Sequence, residues 1–497
     1  MTHPDPSGRS MIILHRESVV LLAIATVATH VRTSGPAKRM ATIGRLMAIV
    51  VPIVLWFAPL PLARPAHQAI AISSSLIIGW ITEALDPALI GLIGCFLFWA
   101  LNIVSFQTAF SGFVDTTTWF LFGAILLGTM ASKSGLARRL AFIIMSKVGT
   151  SYSRLLLGLI LSDFVLTFLV PSGVARIVIL AGVAVGLMEV FGLGPGSNVG
   201  RGIFIIITYT TSIFDKAIIA GATSVTARGL IEKFGGVQVL WSQWVLAYLP
   251  CDLITIFAAW RLTLWLFPPE KPSLPGGSAF LREELRRLGP WSTVEKKSMS
   301  LMLVAIALWS TDFLHHISAP MVALGIGLIA VLPVVGVLNI DDVRRLNLMP
   351  MFFVAAGISM SEVLVKTEAV DILTKVIFNW LDPFVTNVFS STMALYWTAF
   401  IYHIFSGQEV AMLGISLPPL MQFATAHHLN PLSVGMIWTF AIGGKIFIYQ
   451  AAVLIVGYSY GFFDGWDLFR IGLSVTVVQA IVLIVLVPFY WPLIGLR

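Results

Sequence analysis

Residues 154–192 read RLLLGLILSDFVLTFLVPSGVARIVILAGVAVGLMEVFG. Sixteen residues separate Arg154 from Pro171, a Pro-Ser-Gly break follows, and a second apolar limb runs on to Gly192. A membrane span needs ~20 residues, so the stretch is too short for two comfortable spans and too long for one. It fits a re-entrant hairpin over 153–190 whose tip lies at mid-membrane. Irregular backbone persists at that depth only where protein or a water-filled cavity covers it. The pattern returns at 388–424, VFSSTMALYWTAFIYHIFSGQEVAMLGISLPPLMQFA, where Ser406-Gly407-Gln408-Glu409 interrupts the run. A second hairpin is predicted over 388–425.

Composition agrees with a membrane setting. Of 497 residues, 58% are apolar and 11% charged, against roughly a quarter charged in soluble domains. The fold class expected is an all-α polytopic membrane protein of about eleven transmembrane helices. Cys95 and Cys251 lie in apolar runs without metal-ligand spacing, so neither a disulfide framework nor a metal site is expected. The net charge of +7 sits in short loops, without the aromatic-interleaved patch that nucleic acid would need. It reads as a topology signal.

Residues 1–44 carry Arg9, Arg16, Arg32, Lys38 and Arg39 around a weak apolar stretch, Val19 to Thr29, and read as a cytoplasmic tail. A first membrane half is expected over 45–267, a basic Pro- and Gly-containing cytoplasmic linker over 268–297, and a second half over 298–497. The basic clusters Lys133 to Arg154 and Arg344-Arg345 join the tail and linker on one side, which places the N-terminus in the cytoplasm and the protein in the inner, or plasma, membrane. Sliding the chain by 233 or 234 residues aligns Pro87 with Pro320, Gly123 with Gly357, Ser134 with Thr367, and Ser172-Gly173 with Ser406-Gly407. An internal duplication follows. Five crossings and one hairpin per copy would invert the second copy, and inverted repeats with broken elements at the midplane are the architecture of secondary transporters.

Four stretches, Ile81 to Pro87, Trp119 to Gly128 with Lys133 to Ala137, Val170 to Arg176, and Trp466 to Leu473 with Trp491 to Leu496, occur here in one order and spacing. In these the chain resembles the divalent anion:sodium symporter family over most of 45–497. The resemblance implies a carrier of dicarboxylates, tricarboxylates or sulfate, a homodimer, and substrate binding at the two hairpin tips. It also implies that the helices after each hairpin are interrupted and complete sodium sites. The family carries Ser-Asn-Thr at each tip; this chain reads Ser172-Gly173-Val174 and Ser406-Gly407-Gln408. The lost asparagines and threonines remove side-chain oxygens a sodium ion would use, so the coupling ion, Na⁺ or H⁺, stays open. No other cofactor is expected.

An ionisable side chain at mid-membrane costs several kcal/mol, which marks Asp163, Arg176, Asp215, Lys216, Asp252, Arg261, Glu409 and Lys445 as functional candidates. Arg176, four residues past the tip serine, has a fork suited to a carboxylate, or to a structural pair with Asp163. Lys216 and Lys445 follow the hairpins. Either an ammonium stands there in place of a coupling ion, or Lys216 pairs with Asp215 or Glu409 as structural glue. Glu409 suits the start of a helix; a coupled proton, a lysine salt bridge and a capping role are all open to it. The expected substrate set is Ser172, Gly173, Val174, Arg176, Ser406, Gly407, Gln408 and Thr223, with Lys216, Lys445, Glu409 and Asp215 for ion coupling or charge substitution.

Motifs of a membrane enzyme are missing: there is no His-Glu-x-x-His, no Gly-x-Ser-x-Gly and no phosphate-binding loop. The reading is a secondary transporter of a small multivalent anion working by alternating access, sodium-independent in its residues. A passive channel or a non-transporting receptor on the same fold is the alternative.

Overall fold

The computed structural model describes residues 35–497 apart from Glu83, Thr150, Pro171, residues 271–275, Gly407 and Arg497, with side chains from Ile43 onward. The greater part of the expected 1–44 tail, and the tip residue Gly407, lie outside the described residues. Helix α1 already begins at Gly35, inside the stretch read as tail. Among the described residues there is no strand.

The first half comprises an extra helix, α1 (Gly35–Phe57), and then the first copy, α2 (Arg64–Ile81), α3 (Pro87–Ala100), α4 (Thr116–Lys133), α5 (Leu136–Val148), α6 (Tyr152–Leu169), α7 (Gly173–Phe191), α8 (Asn198–Ala217), α9 (Ala222–Gly235) and α10 (Trp241–Leu266). After α11 (Gly277–Arg287), the second copy comprises α12 (Thr293–Ser310), α13 (Ala319–Val331), α14 (Met349–Lys366), α15 (Ala369–Phe378), α16 (Val388–Ser406), α17 (Glu409–Ala426), α18 (Pro431–Ala441), α19 (Ala452–Ser459) and α20 (Gly465–Phe489).

The chain is a polytopic all-α membrane protein. Among the described residues, six helical stretches are long and apolar enough to cross a bilayer, and the bent pair α4–α5 makes a seventh. Four shorter apolar helices accompany them. Helix α20 shows why lipid is the outer solvent. Leu473, Val477, Ile481, Val485 and Phe489 form an exposed apolar stripe at i, i+4 spacing, while Ile471, Val475, Leu483 and Val487 are buried. A helix apolar on both faces is not stable against water.

Helices α3, α4, α7, α8 and α9 correspond in order to α13, α14, α17, α18 and α19. Their packing is reciprocal: α4 packs on α13 as α14 packs on α3, and α9 packs on α17 as α19 packs on α7. Such exchange of partners is what a two-fold relation generates. The copies also run in opposite senses. Lys133 at the end of α4 lies 2.5 Å from Asp342, shortly before α14 starts, so α4 ends on the face where its counterpart begins. We call this the basic face; it also carries Arg138, Arg139 and Lys297.

The hairpins obey the same inversion. Ser153 at the base of α6 accepts from Trp260 Nε1, and Gly186 near the end of α7 lies against Phe280 of α11, which places both ends of the first unit at the basic face. The second unit is closed on the opposite face, where His427 just past α17 meets Asp382 just before α16 at 3.1 Å. Each chain break has a local cause. Pro171 disfavours helical backbone at the residue before it, and Val170 is extended at φ −124°, ψ 93°. Ser172 and Gln408 are the extended N-caps of α7 and α17.

From Gly276 on, the expected linker carries a helix of its own. Helix α11 docks on α5 and α7 with Leu281 buried. Arg139 binds Glu295 at 2.6 Å and donates to the carbonyls of Leu288 and Gly289. Flanking Pro and Gly masked this short amphipathic helix in the sequence.

The copies meet through glycine where α4 crosses α13. A Cβ on Gly123 would lie 2.5 Å from backbone atoms of Ala323 and Leu324, whereas one on its counterpart Gly357 would meet nothing within 4 Å. Gly123→Ala is therefore expected to cost about 1–3 kcal/mol through backbone displacement. Gly357→Ala should be neutral or stabilising by up to about 1 kcal/mol. Thermal unfolding midpoints of the two variants in detergent check this; equal shifts would contradict the asymmetry.

Candidate functional site

A cavity of about 830 Å³ lies between the wall formed by α3, α4 and the start of α14 and the two hairpin tips. Its mouth, on the basic face, is lined by Lys133, Asp342 and Arg345. The floor is built from four helix beginnings: Gly173 to Ala175 of α7, Ala222 and Thr223 of α9, Glu409 and Val410 of α17, and Ala452 and Val453 of α19. The first amides of a helix lack an internal acceptor, and each N-terminus carries about half a positive charge. Four of them aimed at one cavity make a site for an anion.

The spans after the hairpins are broken, which supplies two of these N-termini. Helices α8 and α9 are separated at Ile218–Gly221, and α18 and α19 at Ile442–Ala451. In the second break Gln450 Oε1 accepts from the amides of Ile446 and Phe447 at 2.7 and 2.8 Å, satisfying backbone that has left its helix. Gly173 lets the first tip close on this region, for a Cβ there would lie 2.8 Å from Val453 and 3.1 Å from Asp215 Oδ1.

Polar side chains cluster near the second tip. Lys445 Nζ, from the α18–α19 break, donates to Ser212 Oγ of α8 and pairs with Glu409. Thr223 Oγ1 donates to Glu409 Oε2 at 2.7 Å. One buried lysine thus ties both broken spans to the second tip. The first tip is plainer: Ser172 is exposed to the cavity and caps α7 by accepting from the amide of Ala175, and Val174 and Ala175 beside it are apolar.

Of the residues expected to bind substrate, Ser172, Gly173, Val174, Thr223 and Gln408 line the cavity. Arg176 does not. Its guanidinium is 1% exposed and spent on Asp163 at 3.1 Å, on the carbonyls of Val170 and Thr211 at 3.0 Å each, and on Asp215 at 3.5 Å. The structural pair with Asp163 is formed, and Arg176 lies behind the cavity lining. Ser406 is buried outside the lining, its Oγ without a hydrogen-bond partner. Lys445, Glu409 and Asp215 line the cavity; Lys216 lies outside it, its Nζ against Gly443 and without a hydrogen-bond partner. Arg261, counted among the mid-membrane charges, is exposed on α10 and faces away from the site. The start of α19 and the wall of α4 were not anticipated. For α19 the trace in the sequence was the 234-residue offset, which carries Lys216 onto Gln450 beside the second break; for α4 it was the stretch Trp119 to Gly128.

Residues 39–496 match the model of the sodium:sulfate symporter transmembrane region. The chain belongs to the sodium:sulfate symporter family. Members of this family are membrane transporters, so this symporter-family chain is not an enzyme. It is 23% identical to an L-tartrate/succinate antiporter of Shigella dysenteriae, over 90% of this chain and 98% of that one. It is 24% identical to the chloroplastic dicarboxylate transporter 1 of Arabidopsis thaliana, over 97% and 90%. Among solved structures, MtrF of Neisseria gonorrhoeae, described as illuminating a class of antimetabolite efflux pumps, superposes with a TM-score of 0.55 at 12% identity, over 89% of this symporter-family chain and 97% of MtrF. That likeness is one of fold.

The pair at the second tip yields a stability prediction. Removing one partner of a buried ion pair leaves an uncompensated charge and costs about 3–5 kcal/mol, while replacing both is close to neutral. Lys445→Met should lower the unfolding midpoint in detergent markedly, and Lys445→Met with Glu409→Gln should recover most of the loss. A double variant no better than the single one would show that the two residues do not act as a pair.

Proposed function

We propose that this chain is a secondary carrier of a small di- or tricarboxylate, working by alternating access without sodium, in the inner membrane with the basic face and the N-terminus in the cytoplasm. The observation that carries this reading is the convergence of four helix N-termini from two inverted copies on one cavity. In a water-poor site these fixed partial charges act on an anion more strongly than in bulk water. A dicarboxylate is small beside the 830 Å³ available. Donors for its oxygens stand at Ser172, Gln408 and the first amides of α7, α9, α17 and α19. The dicarboxylate and tartrate/succinate relatives support the substrate class.

The absence of sodium from the scheme rests on Lys445. At the second tip its ammonium already occupies the space between Ser212, Glu409 and the α18–α19 break, where it provides fixed positive charge. Moving one copy's tip and broken span against the wall of α4 and α14 would carry the cavity from the basic face to the other. The family resemblance adds a homodimer.

Proteoliposomes loaded with succinate test the reading. Exchange of external radiolabelled succinate is expected in sodium-free choline medium, unchanged by added sodium. Gln408→Ala should weaken half-saturation by about 10- to 100-fold, the effect of one lost hydrogen bond to a charged group. Exchange that requires sodium would remove the lysine from its assigned role. Absence of exchange across a panel of di- and tricarboxylates would remove the carrier reading itself.

A further inference from the structure

Charges around the two tips do not balance. Among the described residues the buried cations there are Arg176, Lys216 and Lys445, and the carboxylates are Asp163, Asp215, Asp252 and Glu409. Glu409 is matched by Lys445. Lys216 of α8 makes no close ion pair among the described residues; Glu409, Asp252 of the adjoining α10 and Asp215 all act on it at longer range. Four carboxylates against three cations leave one carboxylate in excess, and one guanidinium, Arg176, stands between two of them. It sits 3.1 Å from Asp163 Oδ1 and, more loosely, 3.5 Å from Asp215 Oδ1. Its other donors go to backbone carbonyls.

The two carboxylates are not equivalent. Asp163 is fully buried behind the cavity, whereas Asp215 lines it. Asp215 Oδ1 has no hydrogen-bond partner. It lies in a notch between two glycines: a Cβ on Gly173 of the first tip would come within 3.1 Å of it, and one on Gly221 of the α8–α9 break within 3.0 Å. The charged groups acting on it are Arg176 from α7, Glu409 from α17, Lys445 from the second break and Lys216 on its own helix, with Asp163 of α6 on the far side of Arg176. Its neighbours from α9 and α19, Ala222, Thr223 and Val453, carry no charge.

A carboxylate on the floor of an anion cavity that holds only a shared, loose contact with a guanidinium repels the substrate, and does so strongly in a water-poor site. We infer that Asp215 takes up a proton with each anion and releases it on the far side, so that anion transport is coupled to protons at this residue. This inference rests on the carrier reading above. As a neutral acid Asp215 becomes a donor, able to hydrogen-bond the substrate carboxylate it would otherwise repel. Linkage makes the effect reciprocal: the bound anion favours the protonated carboxyl, and protonation favours the anion. The sequence offered Glu409 for this task, but its bonds to Lys445 and Thr223 hold it as a carboxylate.

The test uses the full chain in proteoliposomes, with radiolabelled succinate as probe and the membrane potential clamped by potassium and valinomycin. With one proton moved per anion, an acid-outside gradient of one pH unit supports accumulation of up to about ten-fold, abolished by a protonophore. Asp215→Asn should abolish accumulation driven by the pH gradient, and Asp215→Glu should retain it. In detergent, succinate binding to the unaltered protein should remove about one proton from unbuffered solution, a readout that needs no variant. Succinate exchange without accumulation or proton uptake in the unaltered protein would overturn the inference and leave the carrier reading standing. Gradient-driven accumulation that persists in Asp215→Asn would overturn the assignment to Asp215. Failure of both exchange and accumulation would overturn the carrier reading, and this inference with it.

Discussion

A backbone amide that leaves its helix inside a membrane has no water to bind and must find an acceptor within the protein. Among the described residues the helices break four times near the tips, between Leu169 and Gly173, at Ile218–Gly221, between Ser406 and Glu409, and at Ile442–Ala451. Every larger feature of the structure accommodates those breaks. Two copies of a fold enclose them, Gln450 and Ser172 satisfy part of the exposed backbone, and the remaining helix N-termini face a cavity. The free amides that make the fold costly are the same groups that make the cavity attractive to an anion.

Inversion of the copies matters because it brings unlike parts together. Two copies facing the same way would place their tips at one face; reversed, they enter from both faces and meet between them. The reciprocal packing of α4 on α13 and α14 on α3 forms the wall, and that of α9 on α17 and α19 on α7 forms the floor. Symmetry of the backbone is not carried into the side chains. The second tip has Gln408, Glu409, Lys445 and Thr223, and the first has Ser172, Val174 and the Arg176 triad. At the second tip Lys445 pairs with Glu409, while at the first one guanidinium is shared by two carboxylates.

Parts of this were legible in the sequence. The lengths of the two limbs around Pro171, and of those around Ser406, exclude ordinary spans, and the 234-residue offset pairs them. Apolar runs of this length leave no soluble alternative. The helix inside the polar insert was not legible because the Pro and Gly residues around it mark turns locally, while the 11 residues Gly277–Arg287 pack as an amphipathic helix on α5 and α7. Arg176 was open to two readings for a similar reason. A guanidinium near a tip can face the cavity or turn inward, and the choice depends on where Asp163, Thr211 and Asp215 lie around it.

What the sequence determined by itself was therefore one-dimensional: that the chain lives in lipid, that it is duplicated, where its helices break and which rare charges it keeps in apolar surroundings. These follow from transfer energies and backbone hydrogen bonding, which depend on local composition and length. Which charges meet was decided only by the tertiary structure. Lys445 lies 36 residues from Glu409 and 233 from Ser212, and electrostatic energy depends on separation in space, which no spacing along the chain encodes.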